Sequence, residues 1–513
     1  MHTSDATVRA ADTVTDEVGV GEIAWRYDGD TVRAFRHLGV AAAVMLAFVP
    51  VVYAIPALER ARPWVAGEAI PLVDVFRHMH EKSVPSIASG TDVAAGAAST
   101  EVLDDAVQKN LDAAAPKAPK HREAPFLVDP DEYADIAVEI EGKEHLAPFF
   151  AALRKSAHKE KGAITRIAHF GDSSVASDEI TGKLRQELQM RFGDAGHGFV
   201  LVDRGHMPYS HKDIYMRGGH GWELRQLVNN ESRDGFYGLG GVKYRPGGSS
   251  WATFGTMPDG PTGTKFSRFE VYYRSLPRSG RVVLTVDRKQ KEIIETRGDE
   301  GDKVAVIELP DGAHRVDLRP DGFVELYGVV LERKGPGVVY DSLGMVGARA
   351  RRLMNFDPEH IAGQLEHRNP DLIVLGFGGN EADDNAQAIK NHEADVREVI
   401  QLLRKSRPKQ ACLVFAPLDQ AHRNGRGEIA TFKSIPTIVD AQRRAAKAEG
   451  CAFFDTFTAM GGEGTMGRWT RTRPRLAVSD LRHATPAGYD VIATLFYKAL
   501  LKAFAESNAG AKH

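Results

Sequence analysis

The chain has 513 residues, 42% hydrophobic and 26% charged, so it is neither wholly disordered nor collagen-like. Its 66 Lys and Arg residues against 69 Asp and Glu give a net charge of -3, and this balance argues against a nucleic-acid-binding protein. Two cysteines exclude a disulfide framework and a Cys-rich zinc or iron–sulfur site.

The N-terminal quarter of the chain contains one long apolar segment. Leu38–Leu58 has no charged residue in 21 positions and, as a helix, would be about 30 Å long, the thickness of a bilayer core. It is predicted to be a single-pass transmembrane anchor; a signal peptide and a buried core helix are the alternatives. Residues 1–37 are then a cytoplasmic, disordered tail. Residues 59–128 form a juxtamembrane segment and a linker rich in Ala, Ser, Pro and Lys.

From residue 164 onwards, short apolar strands alternate with amphipathic helices. The predicted strands are Ile164–Phe170, Leu372–Phe377, Cys412–Phe415 and Ala452–Phe454. A helix is predicted over Asp178–Phe192, and the last helix begins at Thr485, where a threonine cap precedes a proline. This alternation predicts an α/β domain with a parallel sheet covered on both faces.

A glycine-rich stretch, 206–337, breaks this alternation. Apolar residues recur there with a period of two, as at Phe269, Val271 and Tyr273, and turn signals separate the runs. The pattern predicts an antiparallel β-sandwich inserted into the α/β domain, which it divides into 129–205 and 338–507.

Three short polar segments come directly after a predicted strand or before a predicted helix. They are GDS at 171–173, GGN at 378–380 and DLRH at 480–483. Taken singly, each is commonly a turn, a helix cap or a surface loop. Ligand sites of open α/β sheets lie beyond the carboxyl ends of the strands, so the three together predict one active site.

On these blocks the chain resembles the SGNH (GDSL-type) hydrolase superfamily, whose fold is flavodoxin-like with three layers. Ser173, Asn380 and the DxxH at 480–483 match its serine, asparagine and histidine blocks. The remaining glycine block is matched by DSLGMVGARARR at 341–352. Within it, Gly347 fits best as a backbone donor, with Gly344 as the alternative.

The resemblance implies the chemistry of a serine esterase. Ser173 would attack an ester carbonyl, His483 would take its proton, and Asp480 would orient the imidazole. The oxyanion would be held by the backbone N–H groups of Ser173 and Gly347 and by the side chain of Asn380. No cofactor and no metal are implied.

The serine block at 167–200 is also similar to that of peptidoglycan O-acetylesterases, which carry a carbohydrate-binding-like jelly-roll after it. That group often has His after the serine, where this chain has Ser174. The likeness implies an esterase that removes O-acetyl groups from peptidoglycan or a related cell-envelope polysaccharide. It would be anchored in the inner membrane, with its catalytic domain in the periplasm or outside the cell. A polysaccharide O-acetyltransferase with the same triad and a non-catalytic wall-binding protein are the alternatives.

Three further groups of residues are candidate sites. The spacing of His206, His211 and His220 matches no common metal pattern. Core packing is expected of the aromatic residues Tyr209, Tyr215 and Trp222, in preference to a sugar-stacking surface. The two cysteines fall on strands that could be neighbours, and two buried thiols are favoured over a disulfide.

Overall fold

The computed structural model describes Tyr133 and residues 136–204, 208–219 and 221–509. The predicted tail, the apolar segment Leu38–Leu58 and the linker at 59–128 lie outside the described residues. Across the ranges that are described, none of the helices combines the length and the apolar character that crossing a bilayer requires.

Helices and strands alternate in the first and last parts of the described chain, and strands dominate between them. The helices are α1 (Ala147–Ala157), α2 (Ser173–Ala176), α3 (Glu179–Phe192), α4 (Pro358–Arg368), α5 (Ala386–Leu403), α6 (Ser434–Ala448), α7 (Thr456–Ala459), α8 (Thr465–Trp469) and α9 (Pro486–Ala509). Short 3-10 helices cover Lys143–Leu146, Ala350–Asn355 and Asn380–Asp383. The strands are β1 (Ile164–Gly171), β2 (Gly196–Val200), β3 (Ile214–Gly218), β4 (Trp222–Gln226), β5 (Val242–Pro246), β6 (Ala252–Thr256), β7 (Phe266–Ser275), β8 (Arg281–Val286), β9 (Gln290–Glu295), β10 (Gly301–Gly312), β11 (Arg315–Asp321), β12 (Glu325–Glu332), β13 (Gly337–Gly344), β14 (Leu372–Gly376), β15 (Ala411–Phe415), β16 (Ala421–Arg423), β17 (Ile429–Thr431) and β18 (Ala452–Phe454).

Five strands form a parallel sheet in the order β13-β1-β14-β15-β18. Counted along the chain among themselves, they follow the flavodoxin-like order 2-1-3-4-5. Alternate residues of β14 face opposite sides of the sheet. Ile373 and Leu375 join a core cluster with α4, α5 and α6, whereas Leu372 and Val374 join one with α1, α3 and α9. The prediction of a parallel sheet buried on both faces is therefore confirmed.

Two antiparallel sheets lie between β1 and β13 in the sequence. One has five strands in the order β3-β6-β11-β8-β9, and the other has six, β10-β7-β12-β5-β4 with β2 paired to β12. The rings of Phe254 and Phe269, one from each sheet, are 5.8 Å apart in a shared core. Strand β2 precedes residue 206, so the antiparallel pairing begins earlier in the chain than the predicted insert.

A buried network of charges joins these antiparallel strands to the parallel sheet. Glu332, at the end of β12, accepts hydrogen bonds of 2.9 and 2.8 Å from Arg166 of β1 and also pairs with Arg368 of α4. Arg368 in turn donates to both oxygens of Asp341 on β13, at 2.7 and 2.8 Å. The same carboxylate accepts from the backbone N–H of Phe199 at 2.8 Å. Strands from both parts of the fold therefore share one set of ion pairs.

The expectation of two buried thiols is wrong, because Cys412 and Cys451 form a disulfide. Cys412 lies on β15, and Cys451 immediately precedes β18, the neighbouring parallel strand. The register pairs Leu413 with Ala452, so the two cysteines face each other across the strand pair with a Cα–Cα distance of 4.8 Å. That separation is within the range of disulfides. The strand pairing brings the sulfurs together, and the sequence does not reveal that pairing.

Candidate active site

Ser173 lies where the strand order of the parallel sheet reverses. It follows β1 at the start of the short helix α2, and Asp172 caps that helix by accepting from the backbone N–H of Ser174 at 2.9 Å. The hydroxyl of Ser174 donates to the same carboxylate oxygen at 2.8 Å. Because β1 lies between β13 and β14, the serine stands at the topological switch point, where sheets of this order bind ligands.

His483 and Asp480 lie beside that serine. The Oγ atom of Ser173 is 3.2 Å from Nε2 of His483, and Nδ1 of His483 is 2.7 Å from Oδ2 of Asp480. A carboxylate only accepts hydrogen bonds, so Nδ1 carries the proton and Nε2 is left to accept from the serine hydroxyl. The structure thus brings Ser173 together with two predicted residues, His483 and Asp480, that follow it by about 310 positions in the chain.

The electrostatics of the Asp480 carboxylate favour its charged form. Burial opposes ionisation, but the backbone N–H of Arg482 and the side chain and backbone of His483 outweigh it and lower the pKa of Asp480. Both side chains of the pair remain close to half exposed, at 47% for His483 and 43% for Asp480. The imidazole is therefore held by a charged partner and still open to a substrate.

Asn380 lies on the other side of the same pocket, at the start of the 3-10 helix that follows β14. Its Nδ2 atom donates to the carbonyl oxygen of Ala348 at 2.9 Å, which fixes the orientation of the amide. The same nitrogen carries a second hydrogen that this bond does not use. Asn380 thus has an N–H available beside Ser173.

The two glycines of the predicted glycine block have different surroundings. A Cβ atom on Gly344 would lie 2.0 Å from the backbone nitrogen of Ala176, so this glycine permits β13 to approach α2 closely. Gly347 has a φ of 72° and lies in a turn closed by a 3.0 Å bond from Ala348 N–H to Met345 O. Neither glycine lines the pocket around Ser173. The role of Gly347 as an oxyanion donor stays a prediction.

The pocket includes residues that the sequence did not single out. Its walls are formed by Asp172, Ser173, Ser174, Gly376, Phe377, Gly379, Asn380, Phe415, Ala416, Pro417, Leu418, Gln420, Arg482, His483 and Tyr489. Most of the additional residues follow the carboxyl ends of β14 and β15. Ligands of open α/β sheets bind beyond the carboxyl ends of the strands, which predicts a site at this edge. It does not predict which side chains line the pocket.

A buried glutamate lies next to these residues. Glu381 accepts a 2.8 Å hydrogen bond at Oε1 from the backbone N–H of Ala350, just beyond the Gly347 turn. Burial raises its pKa to about 7, and the charge of Asp172 adds to the rise. Burial also raises the pKa of Asp172 itself. Two carboxyl groups whose ionised forms are disfavoured, Asp172 and Glu381, are thus the sequence neighbours of Ser173 and Asn380.

The other groups weighed from the sequence have different surroundings. Tyr209 and Trp222 are buried in the core, as expected, whereas Tyr215 is half-buried beneath the guanidinium of Arg315. Both ring nitrogens of His211 face backbone carbonyls. Residues 206 and 220 are outside the described ranges, and within those ranges no three His, Cys, Asp or Glu side chains gather as a metal site would require.

Comparison with known proteins agrees with this geometry. Residues 311–491 match the model of the GDSL-like lipase/acylhydrolase family. The chain carries an SGNH-type ester hydrolase domain. The match to the family includes Asn380, Asp480 and His483, whereas Ser173 precedes it because the antiparallel strands intervene. The matched domain is that of a carboxylic ester hydrolase.

One solved structure has a similar fold over more of the chain than residues 311–491. A peptidoglycan O-acetylesterase shares 23% sequence identity with a TM-score of 0.58, and the match covers 69% of this chain and 95% of that one. A family two carbohydrate esterase from Cellvibrio japonicus shares 11% identity at a TM-score of 0.23, covering 57% of this chain and 98% of that one. No curated protein matches the sequence.

Proposed function

We propose that the protein is a serine esterase that removes O-acetyl groups from peptidoglycan or a related cell-envelope polysaccharide. The observation that carries the proposal is the hydrogen-bonded series Ser173–His483–Asp480 at the switch point of the sheet. A nucleophile, a base and an orienting carboxylate in this order are the arrangement required for acyl transfer through a covalent intermediate. The substrate class is supported by the fold shared with a peptidoglycan O-acetylesterase.

The reaction follows from these contacts. The Oγ atom of Ser173 attacks the acetyl carbonyl while Nε2 of His483 takes its proton, and the backbone N–H of Ser173 and the Asn380 amide stabilise the oxyanion, with Gly347 as the further expected donor. His483 then protonates the departing sugar hydroxyl, which leaves an acetyl-serine. A water molecule, deprotonated by the same imidazole, attacks the acetyl-serine and releases acetate and the free serine.

Replacing the serine tests the proposed nucleophile. Ser173→Ala should lower kcat on a chromogenic acetate ester by roughly 10³-fold or more, because triad members act as a unit. Ser249→Ala, at an exposed serine of the antiparallel region, is the matched control and should retain full activity. Thermal unfolding of both variants should match the wild type. An S173A enzyme with a tenth of wild-type turnover would show that another residue is the nucleophile.

The same purified protein tests the substrate. Acetate release from O-acetylated peptidoglycan should exceed that from acetylated xylan at equal ester concentration. Faster release from xylan would contradict the wall substrate while leaving the esterase assignment intact. Transfer of acetyl groups to a glycan hydroxyl in preference to water would instead identify a transferase that uses the same triad.

The proposal includes an inner-membrane anchor at Leu38–Leu58, with everything after residue 62 outside the cytoplasm. The uncharged length of the segment supports it. So does the disulfide between Cys412 and Cys451, because disulfides persist in oxidising compartments. Protease added to spheroplasts should therefore degrade the domain that contains Ser173. A domain that resists protease until the cells are lysed would contradict this topology.

A further inference from the structure

One ion pair joins the two chain segments that hold Asn380 and His483. Arg482 precedes His483 in the loop before α9, and Asp383 ends the 3-10 helix that begins at Asn380. The guanidinium is bidentate, with Nη1 2.6 Å from Oδ2 and Nη2 2.9 Å from Oδ1 of the carboxylate. Paired forks of this kind fix orientation as well as distance.

The arginine is also held by an aromatic ring. Its guanidinium carbon lies 4.7 Å from the ring centre of Phe432, which follows the β16–β17 hairpin. The hydrogen bond from Arg482 is the main cause that lowers the pKa of Asp383. The charge–charge contact is therefore present throughout the neutral pH range.

The segment that carries Asp383 is fixed to the glycine-block loop as well. Asp384 accepts from Nε of Arg349 at 2.8 Å, and Glu381 accepts from Ala350 N–H at 2.8 Å. Asn380 and its acidic neighbours thus bind the loop after Gly347 on one side and the His483 loop on the other. The 3-10 helix connects the parts of the site that must act on one acetyl group.

The loop at the histidine is held by short bonds between its own residues. Asp480 accepts from the backbone N–H groups of Arg482 and His483 at 2.9 and 3.1 Å, and a further bond runs from Leu481 N–H to the Val478 carbonyl at 3.1 Å. These bonds and the contact of the imidazole with Asp480 orient the ring within the loop, whose side chain at His483 remains 47% exposed. The Arg482–Asp383 pair adds a contact from outside the loop, which fixes the loop relative to the segment of Asn380.

We propose that the Arg482–Asp383 pair positions His483 relative to Asn380. The base and the oxyanion donor can then contact the same acetyl group. The inference rests on the proposed esterase function. The arginine and the aspartate are 33% and 51% exposed in their side chains, and exposed pairs contribute little to global stability. The effect of the pair is therefore expected on turnover, through the distance and angle between catalytic groups, with no effect on folding.

Kinetics of single and double variants on a chromogenic acetate ester test this inference. R482A and D383A should each lower kcat by about 10- to 100-fold with KM unchanged, since a displacement of about 1 Å can cost that much. The double variant should be no slower than the slower single variant, because both changes break one contact. Arg281→Ala removes an exposed arginine from a comparable pair with Asp321 on the five-stranded antiparallel sheet. This control variant should leave kcat unchanged.

The possible outcomes separate this inference from the function on which it rests. An enzyme inactive on every acetate ester, with S173A behaving identically, contradicts the proposed function. An active enzyme in which R482A raises KM while D383A behaves as wild type would show that Arg482 binds substrate instead, and would overturn the positioning role. Losses that add in the double variant, or a fall in melting temperature beyond that of R281A, would overturn it as well.

Discussion

Two buried glutamates, Glu332 and Glu381, are nearly equal in exposure, at 2% and 4%, and opposite in their acid–base behaviour. At Glu332, burial alone would raise the pKa, but the charges and hydrogen bonds of Arg368 and Arg166 outweigh it and lower the pKa to about 2. At Glu381, burial raises the pKa to about 7, and the neighbouring charge of Asp172 adds to the rise instead of opposing it. Burial disfavours the ionised form of a carboxyl group. The sign of the nearest charge then decides whether that group is ionised at neutral pH.

The two glutamates lie in different parts of the molecule. Glu332 lies where β12 meets the parallel sheet, and ionised it connects the two parts of the fold. Its contribution to stability is present above pH 5 or so and is lost as the pH falls towards about 2. Glu381 lies under the active site and accepts a backbone N–H with one oxygen whether or not the other is protonated.

Removing the cation that Glu332 shares with Asp341 should have the larger effect. Arg368→Ala leaves two buried carboxylates with fewer partners, and breaking a buried ion pair in this way costs about 3–5 kcal/mol. The melting temperature should fall steeply, and catalytic activity should be lost with the fold. Arg444→Ala, which removes an exposed arginine paired with Glu393, is the control and should change stability by less than about 1 kcal/mol. An R368A protein as stable as this control would show that the network is dispensable.

Neutralising Glu381 should have a smaller and opposite effect. A carboxyl group with a raised pKa in the folded state holds its proton longer there than in the unfolded chain. Folded-state stability therefore declines as the pH rises from about 4.5 to about 7. Glu381→Gln keeps the shape and the acceptor for Ala350 N–H without this penalty. Urea unfolding at pH 8 should show it to be more stable than the wild type by about 3 kcal/mol, at about 1.4 kcal/mol per pKa unit, with most of the gain gone near pH 4.5. A constant difference at both pH values would contradict the raised pKa.

Much of the sheet could be predicted because local patterns are strong in its elements. The predicted helix over Asp178–Phe192 differs from α3 by one residue, since Asp178 is the residue before its first turn. The last helix begins at the proline that follows Thr485, as expected from its cap. These boundaries depend on contacts between residues that are close in sequence. The amino-acid sequence alone therefore predicts them.

Strand β13 and helix α4 were not predicted as elements, although the glycine block at 341–352 overlaps the end of β13. The order of the sheet, with β13 outside β1, depends on which strands pair across more than 160 intervening residues. No local signal encodes that pairing. The same reason explains why the disulfide and the Arg482–Asp383 contact appear only in the folded chain.

The residue types of the site and their order along the chain could be read from the sequence: a serine after one strand, an asparagine after another, and an aspartate three residues before a histidine. Those assignments follow from chemistry and from the local rule that parallel strands end at one edge. The tertiary structure alone decided which hydroxyl meets which nitrogen at 3.2 Å, which carboxyl groups keep their charge, and which arginine bridges the two loops. Distances and pKa values depend on neighbours that folding supplies from elsewhere in the chain, and no position in the sequence carries that information on its own.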